Sequence, residues 1–181
     1  MSLSLQATDF ELFGVPERFV QDASEIDAQW KRLLSEAHPD RFAAQGAAAQ
    51  RVSMQWAVRI NEAHQRLKDP VRRATYLCQR WGADVDAERN TSMPASFLMQ
   101  QMAWREELDD AGSDIPALDA LLARAREARL SLLSDLAQTL DGPSDLAPDQ
   151  RARQAVGHIR ALMFVERFTG ELNQRLAQLE A

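Results

Sequence analysis

The tripeptide His38-Pro39-Asp40 places an imidazole and a carboxylate two residues apart, at a break between two stretches of helical pattern. Such a pair can transfer protons, or it can offer a polar contact to another molecule. Proline fixes its own φ angle, has no amide hydrogen and disfavours the α conformation at the residue before it. We therefore expect the preceding helix to stop here and the tripeptide to lie in a loop.

Proton transfer needs more groups than this pair. The other two histidines, His64 and His158, lie on separate segments, and no oxyanion donor, phosphate loop, cofactor motif or Cys-x-x-Cys pair accompanies the tripeptide. We predict that the chain is not an enzyme and that it uses no metal and no cofactor. Two interpretations of the tripeptide remain, an ordinary turn that ends a helix and a docking surface.

Composition indicates an all-α protein. The 181 residues include only 7 glycines and 7 prolines, 45% of them are hydrophobic, and no run of alternating β-branched residues is present. The formal net charge of −6 argues against nucleic acid or an anionic membrane as the main partner, because those surfaces attract positive charge.

Cysteine usage and the amino-terminal residues indicate a cytoplasmic protein. Cys78 is the only cysteine, so no intramolecular disulfide can form, and we expect a small buried apolar residue rather than a reactive thiol. No apolar stretch approaches the ~20 residues of a spanning helix, and residues 1–9 lack the features of a signal peptide.

Two long helices are predicted to flank the tripeptide. Asp22 and Glu25 have capping-box spacing and open a helix that runs to about Ala37, with Lys31 and Arg32 off its apolar stripe and facing solvent. A second helix spans about 47–68, and a shorter one runs from 71 to about 81 before Gly82. The apolar stripes are Ile26, Trp30, Leu33 and Ala37 on the first helix, and Val52, Trp56, Ile60, Ala63 and Leu67 on the second.

The same residues resemble the J-domain of DnaJ-type co-chaperones across roughly residues 8–80. Glu36 and Ala37 depart from the pattern, because many J-domains carry a basic residue and an aromatic residue there. The matching residues are Trp30-Lys31-Arg32-Leu33, His38-Pro39-Asp40-Arg41-Phe42, Ile60-Asn61-Glu62-Ala63, Leu67, Asp69-Pro70, Arg73 and Tyr76.

The resemblance implies that the tripeptide and the basic face before it dock on a chaperone ATPase of the heat shock protein 70 family and accelerate its ATP hydrolysis. Asp40 suits a cationic group on that partner, since a carboxylate and an arginine form a strong, directional contact. Lys31, Arg32 and Arg41 are expected to add complementary charge that orients the encounter. The J-domain is then expected over residues 1–82.

The second half of the chain is predicted to form an antiparallel three-helix bundle over residues 95–181. A polar, acidic stretch at 83–94 is typical of a linker. Helices are expected at about 95–111, 116–140 and 148–180, with Pro116 and Pro148 in their first turns. Short connections between these helices favour the antiparallel arrangement.

The first helix of this bundle has two apolar faces. Phe97, Trp104 and Leu108 share one side, whereas Leu98 and Met102 share another, with Met99 beside them. The second face has two explanations, a wide core or a flexible Leu/Met patch that binds a protein.

The run from Ser96 to Asp109 is similar to the carboxy-terminal domain of the HscB family, the J-proteins of iron–sulfur cluster assembly. That likeness implies an L-shaped arrangement of two domains and an exposed apolar and acidic face that binds the scaffold protein IscU. Ala103 stands where the family often has an acid, and Phe164 has simple core packing as an alternative role. The face corresponds to Leu98, Met99, Met102, Glu106, Asp110 and Phe164.

The function implied by both resemblances is a co-chaperone that holds an IscU-type scaffold and stimulates an HscA-type chaperone ATPase during iron–sulfur cluster assembly. Two alternatives stay open: a J-domain protein that delivers a different client, and a helical adaptor with no chaperone partner.

Overall fold

The computed structural model describes residues 6–85 and 95–180, and every regular element in these ranges is helical, as predicted. The chain forms two compact units, Met1–Leu77 and Cys78–Ala181. The helices are α1 (Asp9–Phe13), α2 (Ala23–Glu36), α3 (Ala47–Lys68), α4 (Pro70–Arg80), α5 (Ala95–Ala111), α6 (Ile115–Asp141) and α7 (Pro148–Leu179), with a 3₁₀ helix at Pro39–Gln45.

Helices α2 and α3 form the hairpin of the first unit. The carboxylate of Asp22 caps α2 by accepting hydrogen bonds from the amides of Ser24 at 2.8 Å and Glu25 at 3.4 Å, which confirms the predicted helix start. The indole Nε1 of Trp30 donates to Oδ1 of Asn61 at 2.8 Å and ties the two helices together. The side chains buried in the hairpin are Ile26, Leu33, Ile60, Ala63 and Leu67.

One position of the predicted stripe on α3 is wrong. Val52 is 50% exposed, and the neighbouring Ser53, only 2% exposed, takes the buried position in that turn. Trp56 is half-buried, whereas Ile60 is fully buried as predicted. The apolar pattern therefore holds over the last two-thirds of α3 and fails near its start, where α2 has already ended.

A buried carboxylate anchors the short helix α1. The side chain of Asp9 is fully buried, and its two oxygens pair with Nη2 of Arg59 at 2.6 Å and Nη1 of Arg66 at 2.8 Å. Its backbone amide donates to the hydroxyl of Tyr76 at 3.1 Å. One residue thus joins α1 to both α3 and α4, and two arginines compensate for the loss of hydration of a single carboxylate.

The second unit is a three-helix bundle, as predicted. Ion pairs between Glu107 and Arg124, and between Glu166 and Arg129 at 3.0 Å, join α6 to α5 and α7. Helices α6 and α7 run antiparallel, because Arg151 at the start of α7 donates to the Thr139 carbonyl at the end of α6 at 3.0 Å, whereas Glu166 farther along α7 meets the earlier Arg129. Leucines dominate the buried face of α6, because this helix packs on both neighbours. They are Leu118, Leu121, Leu122, Leu132, Leu136 and Leu140.

The start of the predicted linker belongs to the second unit. Gly82 has a φ of +84°, which ends α4 with the left-handed conformation that glycine tolerates best. Ala83 and Val85 are buried, and the guanidinium of Arg160 donates to the Val85 carbonyl at 2.7 and 3.1 Å. The remainder of the predicted linker, 86–94, lies outside the described residues.

Replacing Asp9 by asparagine is expected to destabilise the first unit by about 3 kcal/mol, because two arginines lose the charge that compensates them. Urea unfolding followed by tryptophan fluorescence and circular dichroism measures the change. Arg153→Ala is the matched control: it removes an exposed pair with Asp149 and should cost less than about 0.5 kcal/mol. Equal effects of the two substitutions would contradict this role of Asp9.

The thiol of Cys78 is expected to be unreactive in the folded protein. Its side chain is buried, and burial raises the pKa of Cys78 to about 12, so the nucleophilic thiolate is scarce at about pH 8. Labelling with a disulfide reagent should be negligible in the native protein and complete in denaturant. Rapid labelling of the native protein would show that the thiol is accessible.

Candidate functional site

The backbone at the His-Pro-Asp turn, residues 38–40, differs from the predicted loop. His38 is extended, with φ −65° and ψ 131°, and Pro39 and Asp40 form the first turn of the 3₁₀ helix. The Arg41 amide donates to the His38 carbonyl at 3.0 Å. Proline fits a first helical position because it lacks the amide hydrogen that would stay unbonded there. Helix α2 nevertheless ends before His38, as predicted.

The side chains of His38 and Asp40 face water. His38 is 59% exposed and Asp40 is 90% exposed. The Asp40 amide donates to Nδ1 of His38 at 3.3 Å, so the neutral ring carries its proton on Nε2. Nδ1 also lies 3.6 Å from Oδ2 of Asp40. Both groups are therefore accessible to another protein.

The basic residues around the turn are exposed, but they are not equivalent. Arg32 pairs with Glu36 at 2.7 Å, so the acidic departure at position 36 neutralises part of the expected positive face. Nη1 of Arg41 donates to the Ser35 carbonyl at 3.3 Å, which gives Arg41 a contact with the end of α2. Lys31 is exposed and forms no ion pair within the ranges that the structure describes.

Near the hairpin's other end, His64 has a structural role. Its Nε2 lies 2.7 Å from Oδ1 of Asp27, and its ring stacks on Trp30 with centroids 4.6 Å apart. Hydrogen bonds from His64 and then Lys68 lower the pKa of Asp27. In the described part of the chain, no three histidine, cysteine or acidic side chains come together as metal ligands.

The two faces predicted for α5 are both present, and only one of them is buried. Phe97, Trp104 and Leu108 are at most 7% exposed. On the opposite side, Leu98 is 44% exposed, and Met99 and Met102 are each 74% exposed. The wide-core explanation is therefore wrong for these residues. Leu98 and Met99 lie four and three residues before Met102, and Glu106 lies four residues after it, so all four share this exposed side, which we call the outer face of α5.

Phe164 borders the outer face and also packs in the bundle. Its ring lies edge-on to Phe97 at 5.8 Å and stacks near Trp104 at 6.4 Å and Phe168 at 5.7 Å. The residue is half-buried, so part of its ring remains accessible. The packing role of Phe164 is thus observed, whereas its role in binding the scaffold stays a prediction, and its truncation would disturb packing as well as any contact with a partner.

The edge toward α7 contains a pair that sequence reasoning missed. Nη1 of Arg105 pairs with Oε2 of Glu171 at 2.6 Å, and its guanidinium lies over the ring of Phe164 at 5.8 Å. Leu98 lies seven residues before Arg105 and hence on nearly the same side of α5. This geometry brings Leu98 to the edge that Phe164 occupies. The pairing has no sequence signal, because its partners are 66 residues apart.

Asp110 lies at the opposite edge, toward α6. There it lines a shallow groove of 360 Å³ together with Leu121 and the ion pair of Glu107 with Arg124. The hydrogen bond from Arg124 lowers the pKa of Glu107. Glu106, Asp109 and Asp110 are exposed and have no cationic partner among the described residues. The outer face is thus apolar in its amino-terminal half and acidic at its carboxyl end, a combination that suits a partner surface with apolar and basic groups.

Comparisons with known proteins relate both the second unit and the whole chain to a single family. Residues 93–173 match the family described as the HSCB C-terminal oligomerisation domain. The co-chaperone protein HscB homolog of Burkholderia mallei (strain SAVP1) is 48% identical over 180 residues, which cover 98% of this chain and 99% of the relative. Chaperone HscB from Vibrio cholerae has a TM-score of 0.78 and 30% identity, covering 96% of this chain and 99% of its own. Human co-chaperone protein HscB has a TM-score of 0.83 at 16% identity, covering 97% of this chain and 85% of its own, and indicates the fold alone.

Truncating the outer face is expected to leave stability unchanged. Met99→Ala and Met102→Ala should each alter the free energy of unfolding by less than about 0.5 kcal/mol, because both side chains are already solvated. Trp104→Ala, on the buried face of the same helix, should cost about 3 to 5 kcal/mol. Urea unfolding measures all three variants. If Met102→Ala lowered the free energy of unfolding as much as Trp104→Ala, the outer face would be part of the core.

Proposed function

This chain belongs to the HscB family of co-chaperones, and we propose that it links an IscU-type iron–sulfur scaffold to the ATPase of an HscA-type chaperone. The His-Pro-Asp turn and its basic flank contact the chaperone, and the outer face of α5 with Phe164 contacts the scaffold. The chain itself catalyses no reaction, because ATP hydrolysis belongs to the chaperone. We also propose that it acts in the cytoplasm, and no described helix has the length and apolar character of a membrane span.

The observation that carries the proposal is the exposure of Met99 and Met102 on a helix whose opposite face is buried. Exposed apolar side chains that contribute nothing to their own fold are typical of a protein contact. Covering a methionine or leucine side chain contributes about 1 to 2 kcal/mol. The acidic groups at the end of α5 orient the bound scaffold, and the flexible methionines adapt to its surface.

On the chaperone side, Asp40 supports a contact with an arginine or lysine. The carboxylate is 90% exposed and so available to a partner, and a charge-assisted hydrogen bond in the closed interface offsets the hydration that it loses there. Lys31 adds positive charge beside it, whereas Glu36 reduces the contribution of Arg32. We infer that this chain docks with a narrower basic face than J-domains that have a cation at position 36.

Two binding surfaces on one chain make the protein a bivalent adaptor. Once the chain has bound the scaffold, a chaperone that contacts the scaffold also has the His-Pro-Asp turn close by, at a high effective concentration. Hydrolysis is thereby stimulated where the scaffold is present. Ala103 leaves the scaffold contact one acid short of the family pattern, so the apolar residues carry a larger share of the binding here.

His38→Gln and Asp40→Asn should each abolish stimulation of the chaperone ATPase, or raise the concentration for half-maximal stimulation by at least about tenfold, as expected for central contacts. Scaffold pull-down should be unchanged in both variants. Glu62→Gln is the control, since it removes an exposed carboxylate from the same unit. Unaltered stimulation by both turn variants would overturn the chaperone contact.

The double variant Leu98→Ala with Met102→Ala should lose scaffold pull-down while it retains ATPase stimulation in the absence of scaffold. Leu130→Ala, which truncates an exposed leucine on α6, is the control. Phe164 is left unchanged because it also packs against the aromatic residues of the bundle. Stimulation without any scaffold binding by the wild type would indicate a different client.

A further inference from the structure

The carboxyl end of α2 lacks the usual way of ending a helix. The last carbonyls of a helix need donors from outside it, and a glycine in the left-handed conformation commonly arranges them. Here the residue that follows the cap Ala37 is His38, which is extended because Pro39 comes next. Side chains or water must therefore supply the donors that a glycine cap would have arranged.

Ser53 supplies one of these bonds from inside the hairpin. Its hydroxyl donates to the Ala37 carbonyl at 2.5 Å, across 16 residues of sequence. Ser53 is 2% exposed and Ala37 is 5% exposed, so water does not compete for the bond. A serine within a helix ordinarily bonds the carbonyl one turn back or faces solvent. Ser53 instead reaches from α3 to the end of α2.

The bonded carbonyl belongs to the peptide group that leads into His38. A peptide group is planar, so holding the Ala37 oxygen also orients the His38 nitrogen and the direction in which the chain leaves α2. Besides the backbone bond from the Arg41 amide to the His38 carbonyl, the turn has two other bonds that involve side chains, and both are exposed. They are the Asp40 amide to His38 Nδ1 at 3.3 Å and the Arg41 guanidinium to the Ser35 carbonyl at 3.3 Å. Water competes with both, which leaves Ser53 as the buried anchor among the described contacts of the turn.

We propose that Ser53 is a positioning residue for the His-Pro-Asp turn: its buried hydroxyl holds the Ala37 peptide so that His38 and Asp40 are preorganised for the chaperone. This inference rests on the proposed function for its binding consequence, but the preorganisation belongs to the chain alone. When the anchor is absent, the turn samples other orientations, and the apparent affinity falls by the fraction of time spent in the competent one. The maximal stimulation, reached with all chaperone occupied, should be retained.

The test compares Ser53→Ala with Asn61→Ala. Both remove one hydrogen bond between α2 and α3, but Asn61 accepts from Trp30 at 2.8 Å on an exposed side of the hairpin, away from the turn. Ser53→Ala should raise the concentration for half-maximal ATPase stimulation about fivefold to tenfold, the scale of one lost buried hydrogen bond. Asn61→Ala should change it less than about twofold. Ser53→Cys keeps a similar volume but donates only a weak hydrogen bond, so it should also raise the concentration for half-maximal stimulation.

Amide hydrogen exchange provides a readout that is independent of the chaperone. In Ser53→Ala, the amides of Asp40 and Arg41 should exchange faster relative to the hairpin core, and in Asn61→Ala they should match the wild type. The role of Ser53 would be overturned if the two variants had the same concentration for half-maximal stimulation and the same amide exchange rates at the turn. If the wild type fails to stimulate any HscA-type ATPase, the proposed function fails, and the exchange data still decide whether Ser53 positions the turn.

Discussion

Proline at position 39 is the constraint on which the first unit depends. It forces His38 into an extended conformation, and α2 therefore ends at Glu36 with an Ala37 cap rather than a glycine cap. The chain reverses over the 3₁₀ helix into α3, and the apolar side chains of the two helices then meet along the hairpin. The imidazole of His38 and the carboxylate of Asp40 remain in water at this reversal. Stability comes from the buried hairpin, and these two side chains are left accessible.

In the second unit, a single helix combines a buried face that gives stability with an exposed face. The inner face of α5 buries Phe97, Trp104 and Leu108, which suffices to hold it against the bundle. The outer face exposes apolar residues that add nothing to that packing. Its carboxyl end also collects Glu106, Glu107, Asp109 and Asp110, although acidic groups oppose the helix dipole there. Both features reduce the stability or solubility of an isolated helix, and both are explained if a partner covers the face.

Residues that begin or end helices made most of the fold predictable. Asp22, Gly82 and Pro148 mark helix ends in ways that depend only on local chemistry, so the long helices begin and end within about one residue of their predicted bounds. The sequence showed the two apolar faces of α5, but residue spacing alone left a wide core and an exposed patch both open, and only the likeness to the HscB family favoured the exposed patch. The bounds of the short helix α1 were not predictable, since it depends on Asp9 pairing with arginines at least 50 residues away. The role of Ser53 was also hidden, because the stripe pattern favours Val52 as the buried residue and does not show which carbonyl lacks a donor.

The central claim is that one chain carries both contacts and that their linkage matters. The most direct measurement is the chaperone ATPase rate with scaffold present, at a low concentration of an equal mixture of His38→Gln and the Leu98→Ala, Met102→Ala double variant. Each variant keeps one surface, so a bivalent adaptor predicts stimulation no greater than the sum of the two variants alone, and well below that of the same concentration of wild type. A mixture as active as the wild type would show that the two surfaces work independently and would contradict the account.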